Sequence, residues 1–230
     1  MSAKKRTLFV GDIHGCYNEL QELLYKIAYK PASDRLISLG DLLHKGPMSA
    51  EVIKFFYNSK IEVIMGNHDW HFLQALKGNI AMYKEAENIM QLCGIPKNDM
   101  IKWLEEFPYY IKEQSFIAVH ACFDPSKKKY AQTSFQDMIN GRYFDLETNT
   151  ILKFVKSPNT YQKPWYQVYP PKNTDRTVVF GHWAKPEPRF FKNFRCIDTG
   201  CCYGGRLSCL ILPDDIIISV ESHQPKKFNY

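Results

Sequence analysis

The chain has 230 residues, of which 45% are apolar and 23% are charged. That length suits one domain with a sizeable core, and that composition excludes wholesale disorder. The formal net charge of +6 favours anionic substrates through long-range steering, but it is too small to predict a protein whose main partner is nucleic acid.

Cysteine usage and hydropathy narrow the class of protein further. The seven cysteines include no Cys-x-x-Cys pair, which argues against a disulfide framework and against a zinc ribbon. No apolar run of signal-peptide length follows the charged start, and no stretch approaches the roughly 18 apolar residues of a membrane span. We therefore expect a cytoplasmic protein with no membrane partner.

The first 77 residues show three strand–loop–helix units. Apolar runs at 7–10, 35–39 and 61–65 each stop at a glycine, which is typical of buried strands. The apolar positions in 20–28 recur with helical spacing, and Pro47 with Ser49 marks the start of a second helix. Such repeats predict a largely parallel sheet whose loops gather at the carboxyl ends of the strands.

The middle of the chain is helical and then irregular. Residues 78–108 form the longest stretch of helical pattern, and we predict that four of its residues pack against the core: Leu92, Ile101, Trp103 and Leu104. The runs at 109–111 and 116–119 resemble a hairpin. Residues 122–175 predict an irregular cap or loop region within a single domain spanning 1–230. In that region the aromatic residues Trp165, Tyr166 and Tyr169 either stack on a nucleobase or pack the cap.

Strand patterns return at 177–180, 194–197, 207–212 and 216–220. These runs lie too close together in the chain for crossover helices. We therefore predict that they form a second, mostly antiparallel sheet.

Side chains of the types that can bind metals come immediately after the apolar runs. They lie in the segments GDIHG, GDLLHKGP, GNHD, VHA, GHW and DTG. The residues concerned are Asp12, His14, Asp41, Asn67, His68, His120, His182 and Asp198. Oxygen and imidazole ligands at separate strand ends suit a two-metal hydrolytic site better than a structural zinc knot.

Each motif alone has a simpler explanation, since Asp and Asn are common in turns and a histidine at a strand end often belongs to the core. Together they favour two ions about 4 Å apart that polarise a phosphoryl group while a hydroxide held between them attacks in line. Asp41 has two oxygens and can bridge the ions. His68, beside Asn67, is placed to protonate the leaving group.

These motifs resemble those of the calcineurin-like metallophosphoesterase superfamily, in its phosphoprotein-phosphatase and diadenosine-tetraphosphatase branch. The resemblance covers roughly residues 7–212 and implies an α/β fold with two central β-sheets, one mixed and one mostly antiparallel, flanked by helices. It implies that Asp12, His14 and Asp41 hold a first metal, and that His68 is the general acid. The residues implied for the second metal are Asp41, Asn67, His120 and His182. The ligands suit two divalent ions, with Mn²⁺ first and Fe, Co or Zn as alternatives.

The second motif departs from the protein-phosphatase pattern, because His44-Lys45 stands where Asp-Arg is typical. The absent Asp usually orients the catalytic histidine in that family, so either Asp69 or His44 orients it here in a different way or the acid is less well held. Lys45 offers a point charge to phosphate, and Arg142 is the second candidate for a phosphate-binding side chain, with a plain surface arginine as its alternative. These features are similar to the diadenosine-tetraphosphatase-like branch.

We therefore expect a metal-dependent phosphatase that acts on a phosphorylated small molecule or nucleotide, with symmetrical hydrolysis of dinucleoside tetraphosphate first. The main alternative is a serine/threonine protein phosphatase acting on phosphoproteins. Polyphosphate and a capped RNA end are further alternatives of the same branch. A non-catalytic metal-binding adaptor is disfavoured, since a scaffold needs no proton donor such as His68.

Overall fold

Two five-stranded β-sheets packed face to face form the centre of the protein, in a computed structural model that describes residues 5–169 and 176–227. The first sheet contains, in spatial order, β13 (Ile216–Glu221), β12 (Arg206–Leu212), β1 (Thr7–Val10), β2 (Arg35–Ser38) and β3 (Glu62–Val63). The predicted parallel unit is confirmed, since β1, β2 and β3 run parallel. The two late strands extend this sheet antiparallel to β1.

The second sheet is mixed, so the prediction of a mostly antiparallel sheet built from the last four strand patterns is wrong. Its strands, in spatial order, are β10 (Arg189–Phe191), β11 (Phe194–Cys196), β9 (Thr177–Phe180), β5 (Phe116–Val119) and β4 (Tyr110–Lys112). The predicted hairpin is confirmed as β4 and β5. Strand β10 was not predicted. It pairs antiparallel with β11, and this return lets β11 run parallel beside β9 without a crossover helix.

Five helices accompany the first sheet: α1 (Tyr17–Lys26), α2 (Ser49–Ser59), α3 (Asn67–Lys77), α4 (Lys84–Cys93) and α5 (Lys97–Glu105). The predicted helical stretch 78–108 is two helices, because the chain turns at Gly94, with φ +64°, and Pro96 follows. Leu104 is buried, whereas Leu92 is 54% exposed. The prediction for Leu92 is wrong because α4 turns a different face, with Ala86 and Ile89, to the core.

Successive side chains along the strands point to opposite faces of the sheet, and this alternation creates two apolar layers. Leu8 and Val10 on β1 pack towards the helices, while Phe9 packs into the layer between the sheets. There the Phe9 ring meets Phe116 of the second sheet edge to face, with 4.8 Å between centroids. A side-chain period of two on strands buried on both faces explains the continuous apolar runs in the sequence.

The predicted cap region is more regular than expected. It contains helices α6 (Phe135–Asn140) and α7 (Trp165–Val168) and a three-stranded sheet of β6 (Tyr143–Asp145), β7 (Thr150–Leu152) and β8 (Gln162–Pro164). Its last part, residues 170–175, lies outside the described residues. Trp165 and Tyr166 are buried against the second sheet, so packing of the cap is the correct alternative for these aromatics. Within the described ranges, no helix is long and apolar enough to cross a membrane.

Candidate metal centre and active site

The predicted ligands converge where strands of both sheets end. Asp12 and His14 follow β1, Asp41 follows β2, and Asn67 begins α3, which follows β3 after three residues. The second sheet contributes His120 after β5 and His182 after β9, and these two strands are parallel neighbours. The prediction that the loops of the parallel strands gather at their carboxyl ends is therefore confirmed.

The backbone at the site is held in an uncommon conformation. His14, Asp41 and His182 have φ values of +47°, +54° and +64°, in the left-handed region that side chains other than glycine rarely adopt. Such residues cost on the order of 1–3 kcal/mol each and cluster where function requires them. The first two loops support each other, because the backbone N–H of His14 donates to the carbonyl of Asp41 at 2.8 Å.

Two glycines allow the carboxylates to approach the backbone. A Cβ atom at Gly181 would lie 2.2 Å from Oδ1 of Asp12, and a Cβ at Gly66 would lie 2.3 Å from Oδ1 of Asp41. Any larger residue would therefore displace a carboxylate from the site, and at Gly66 it would also meet the backbone nitrogen of Asp41.

Three of the site histidines each donate one ring N–H to a backbone carbonyl. His14 Nδ1 donates to Leu43 O at 3.0 Å, and His120 Nδ1 donates to Leu39 O at 2.8 Å. His182 Nε2 donates to Asn140 O at 3.1 Å. A carbonyl oxygen only accepts, so the other ring nitrogen of each neutral histidine is left as an acceptor or a metal ligand.

The bare ring nitrogens face other acceptors. His120 Nε2 and His182 Nδ1 are 3.2 Å apart, and Asn67 Oδ1 lies 3.2 Å from the first and 2.9 Å from the second. His120 Nε2 is also 3.6 Å from Oδ1 of Asp41, whose Oδ2 lies 3.4 Å from His14 Nε2. Acceptors packed this closely repel one another unless a proton or a cation lies among them. Nitrogen and oxygen donors in this arrangement fit a divalent metal.

Buried carboxylates add to the negative charge at the same place. Burial, followed by the nearby charges of Asp198 and Asp41, raises the pKa of Asp12 well above its usual range. Burial acts to raise the pKa of Asp41 as well, but His120 and His14 outweigh it and lower that pKa. Burial lowers the pKa of His14 to about 3, so this imidazole is a neutral ligand rather than a counter-charge. The carboxylate oxygens and unprotonated ring nitrogens of this cluster therefore suit a cation that lies among them, as a divalent metal would.

His68 lies at the rim of this cluster and is joined to His44. Its backbone N–H donates to Asp41 Oδ1 at 2.9 Å, and its Nδ1 lies 2.8 Å from Nδ1 of His44. The hydroxyl of Tyr83 contacts the other ring nitrogen of His44. Burial lowers the pKa of both histidines to about 4. Tyr83 was not predicted, because it lies outside every motif, 39 residues from His44 in the chain.

Asp69 has a different environment from the one expected of a residue that orients His68. Its buried carboxylate accepts hydrogen bonds from the backbone N–H groups of Asp41, Leu42 and Gly66, at 2.7 to 3.1 Å. Asp69 thus ties the second motif to the start of α3. Of the two residues proposed for orienting His68, the structure places His44 in contact with its ring.

Lys45 and Arg142 line the same cleft of about 240 Å³ as the predicted ligands, together with Trp183, Asp198 and Tyr203. Lys45 Nζ donates to His14 Nε2 at 3.0 Å and lies over the ring of Tyr203. Burial acts to lower the pKa of Lys45, but a hydrogen bond with Tyr203 and the charge of Asp41 outweigh it and raise that pKa. Arg142 is half-buried, and its Nη2 donates to His182 O at 3.2 Å.

A further buried group of potential ligands lies beneath the site, formed by Cys16, Glu19 and Cys201. The Glu19 carboxylate accepts hydrogen bonds from His223 N at 2.9 Å and from Gln224 Nε2 at 3.0 Å. Glu19 therefore anchors the segment after β13. Cys201 and Cys202 are buried thiols.

Comparison with known proteins agrees with this geometry. A family model described as calcineurin-like phosphoesterase matches residues 5–219. A relative from Cronobacter sakazakii (strain ATCC BAA-894), named bis(5'-nucleosyl)-tetraphosphatase, symmetrical, is 27% identical over 95% of both chains. A crystal structure provisionally named a diadenosine tetraphosphatase is 28% identical, covers 100% of this chain and 96% of that one, and superposes with a TM-score of 0.79.

A more distant structure shares the fold alone. A protein serine/threonine phosphatase from Saccharomyces cerevisiae is 14% identical, covers 99% of this chain and 82% of that one, and has a TM-score of 0.61. The family model spans nearly the whole chain and includes every predicted ligand. The chain therefore belongs to the calcineurin-like phosphoesterase family, and it is a metal-dependent phosphatase.

Proposed function

We propose that this phosphatase hydrolyses phosphoanhydrides and that its preferred substrate is a dinucleoside tetraphosphate, cut at the middle anhydride. The observation that carries this proposal is the presence of Lys45 and Arg142 on the same cleft as the metal donors. A polyphosphate chain bears several negative charges beyond the phosphoryl group that reacts, and two separate cations can neutralise them. The names of the relatives support the same substrate class.

The donor set supports two divalent ions, and we propose Mn²⁺ as the native metal. Asp12, His14 and Asp41, which line the cleft together, would hold the first ion. The residues proposed for the second are Asp41, Asn67, His120 and His182. When bound, two such ions polarise a phosphoryl oxygen and lower the pKa of water. The seven cysteines are free buried thiols, which suits a reducing cytoplasm.

The chain's own residues then bind the substrate and move a proton. Lys45 and Arg142 hold phosphate oxygens on the two sides of the ligand cluster. His68 donates a proton from its ring to the oxygen of the leaving group, which is a nucleoside diphosphate for the proposed substrate. Asp69 keeps the second motif and α3 in register through its three bonds to backbone N–H groups.

Product analysis tests the proposal. The full chain, supplied with Mn²⁺, is incubated with diadenosine tetraphosphate, inorganic polyphosphate and a phosphoserine peptide, and the products are separated by chromatography. We expect two molecules of adenosine diphosphate from each tetraphosphate and the highest kcat/KM for that substrate. Adenosine monophosphate plus triphosphate would exclude symmetrical cleavage. A kcat/KM that favours the peptide would support the protein-phosphatase alternative instead.

A further inference from the structure

Three side chains from separate parts of the chain form a row that ends at His68. Tyr83 directly precedes α4, His44 lies in the loop after β2, and His68 is in the first turn of α3. The centroids of the His44 and Tyr83 rings are 4.7 Å apart, those of His44 and His68 are 5.1 Å apart, and the two histidine rings are nearly perpendicular. The ring atoms therefore meet edge on, as hydrogen bonds between them require.

We propose that His44 is the positioning residue for the proton donor His68, and that Tyr83 selects the tautomer of His44 which this task needs. The inference rests on the proposed function, since it concerns the proton that His68 gives to the leaving oxygen of the substrate. It assigns to a histidine and a tyrosine the role that a single aspartate has in related phosphatases with Asp-Arg in the second motif.

The hydrogen-bond directions follow from the atoms present. In the transfer step His68 carries a proton on both ring nitrogens, a charged form that burial disfavours and that an acceptor at Nδ1 stabilises, so Nδ1–H of His68 donates and Nδ1 of His44 accepts. Neutral His44 then carries its proton on Nε2 and donates it to the hydroxyl oxygen of Tyr83. His68 releases its Nε2 proton to the leaving oxygen, and its Nδ1 proton stays on the bond to His44. Protons and charge balance without any further group.

The loop that carries His44 is suited to holding it in place. His44 has a φ of +75°, in the left-handed region where histidine, asparagine and aspartate are enriched among residues other than glycine. Its backbone N–H donates to Ser49 Oγ at 3.1 Å, which fixes the loop to the start of α2. The other candidate, Asp69, already accepts three backbone hydrogen bonds. The position of the His44 ring, its backbone conformation and its hydrogen bonds all support His44 as the residue that positions His68.

The test compares two esters that differ in their need for an acid. Phenyl phosphate has a poor leaving group, whereas 4-nitrophenyl phosphate leaves with little protonation. The variant His44→Gly removes the side chain without strain, because glycine adopts a positive φ readily. His44→Asp restores an acceptor oxygen near the position of Nδ1, and Tyr83→Phe removes only the hydroxyl. Tyr25→Phe, at a tyrosine that is 88% exposed, is the matched control.

With Mn²⁺ added to the full chain, we expect His44→Gly to lower kcat for phenyl phosphate by about 10- to 100-fold, with KM unchanged and a far smaller loss for 4-nitrophenyl phosphate. His44→Asp should recover most of this loss. Tyr83→Phe should lower kcat about 3- to 10-fold on phenyl phosphate alone, and Tyr25→Phe should change neither ester.

Equal losses on both esters, or no loss on phenyl phosphate, would overturn the role of His44 while leaving the proposed function intact. Failure of His44→Asp to recover activity would also overturn it. If the unaltered chain, supplied with Mn²⁺, hydrolysed neither these esters nor diadenosine tetraphosphate, the proposed function itself would be contradicted. Tyr83→Phe keeps the inference falsifiable even if the substitutions at His44 prevent folding, because it leaves the loop unaltered.

Discussion

The histidines at the strand ends and the histidines of the second and third motifs are held in different ways. His14, His120 and His182 each donate to a backbone carbonyl, which cannot donate in return. His44 and His68 instead meet ring to ring, and each of their nitrogens can either donate or accept. A carbonyl fixes the neutral tautomer that a metal ligand needs, whereas a second imidazole can accept the extra proton-bearing N–H of a histidine that acts as an acid. Within one cleft, the hydrogen-bond partner of each histidine thus distinguishes the proposed metal ligands from the proposed acid.

The largest effect is expected on the metal side of this comparison, at Asp41. Asp41→Asn keeps the size of the side chain, and asparagine tolerates the φ of +54°. It removes the negative charge proposed to bridge the two ions. We expect a loss of activity on the order of 10³-fold, together with a loss of bound metal, while the core stays folded. Elemental analysis gives the metal content per chain, and two tightly held ions in this variant would contradict the bridging role.

An effect that depends on the leaving group is expected on the proton side. His68→Asn should leave metal binding intact and lower kcat by about 10²–10⁴-fold for esters with poor leaving groups. The loss should shrink for 4-nitrophenyl phosphate, whose leaving group barely needs a proton. Steady-state kinetics on both esters measure the difference. An equal loss on the two would mean that His68 acts in another way, for example as a metal ligand.

Most of the metal side could be predicted from the sequence, and much of the proton side could not. Asp12, Asp41 and His120 each follow a short apolar run, and parallel strands bring such positions to one edge. The hydrogen-bond partner of His44 is Tyr83, which belongs to no motif. Tyr83 lies next to α4, and the packing of α4 against α2 brings it close to His44. Contacts that depend on helix packing leave no local pattern in the sequence.

The same distinction explains the errors in the fold. Strand β10 has only three residues, which are exposed or half-buried, and Phe190 is 56% exposed. A short strand at the border of the sheet needs no continuous apolar run of the kind that marks β1 and β9, so its sequence gives no strand signal. Without it, the later strands are assigned to the wrong sheet. The cap region was expected to be irregular because Trp165 and Tyr166 are surrounded by prolines and polar residues, yet both are buried. Pairing with distant segments, rather than local pattern, decides these elements.

Lys45 has a third role in the same cleft, because it is proposed to bind phosphate oxygens and neither holds a metal nor donates a proton to the leaving group. Lys45→Met keeps the length of the side chain and removes its charge. We expect a loss of about 1–3 kcal/mol in transition-state stabilisation for the tetraphosphate, the amount of one charge-assisted contact, and less for 4-nitrophenyl phosphate. The ratio of kcat/KM values measures it. Lys102→Met, at a lysine far from the cleft, is the matched control, and a loss of the same size there would contradict the assignment.

The smallest effect is expected far from the site, where a carboxylate has its own cation. Asp34 is paired with Arg6 at 2.6 Å, and hydrogen bonding from Arg6 is the main cause that lowers the pKa of Asp34. A carboxyl whose folded pKa is lowered adds stability above its unfolded pKa, and this stability is lost as the pH falls through the folded pKa.

Asp34→Asn should therefore lower the free energy of unfolding by about 1 kcal/mol or less near pH 7. The difference from the unaltered chain should disappear at acidic pH, below the usual range of Asp. Urea unfolding at several pH values checks this. A difference that stays constant down to the most acidic pH would show that the ion pair does not account for it.

The most direct test of the separation between metal binding and acid catalysis is the metal content of two matched variants, His120→Asn and His68→Asn, purified with Mn²⁺. Both replace a histidine with asparagine at the same cleft. The predicted result is two ions per chain in His68→Asn and fewer than two in His120→Asn, while both lose activity on phenyl phosphate. Loss of metal from His68→Asn, or two ions retained by His120→Asn, would contradict the account.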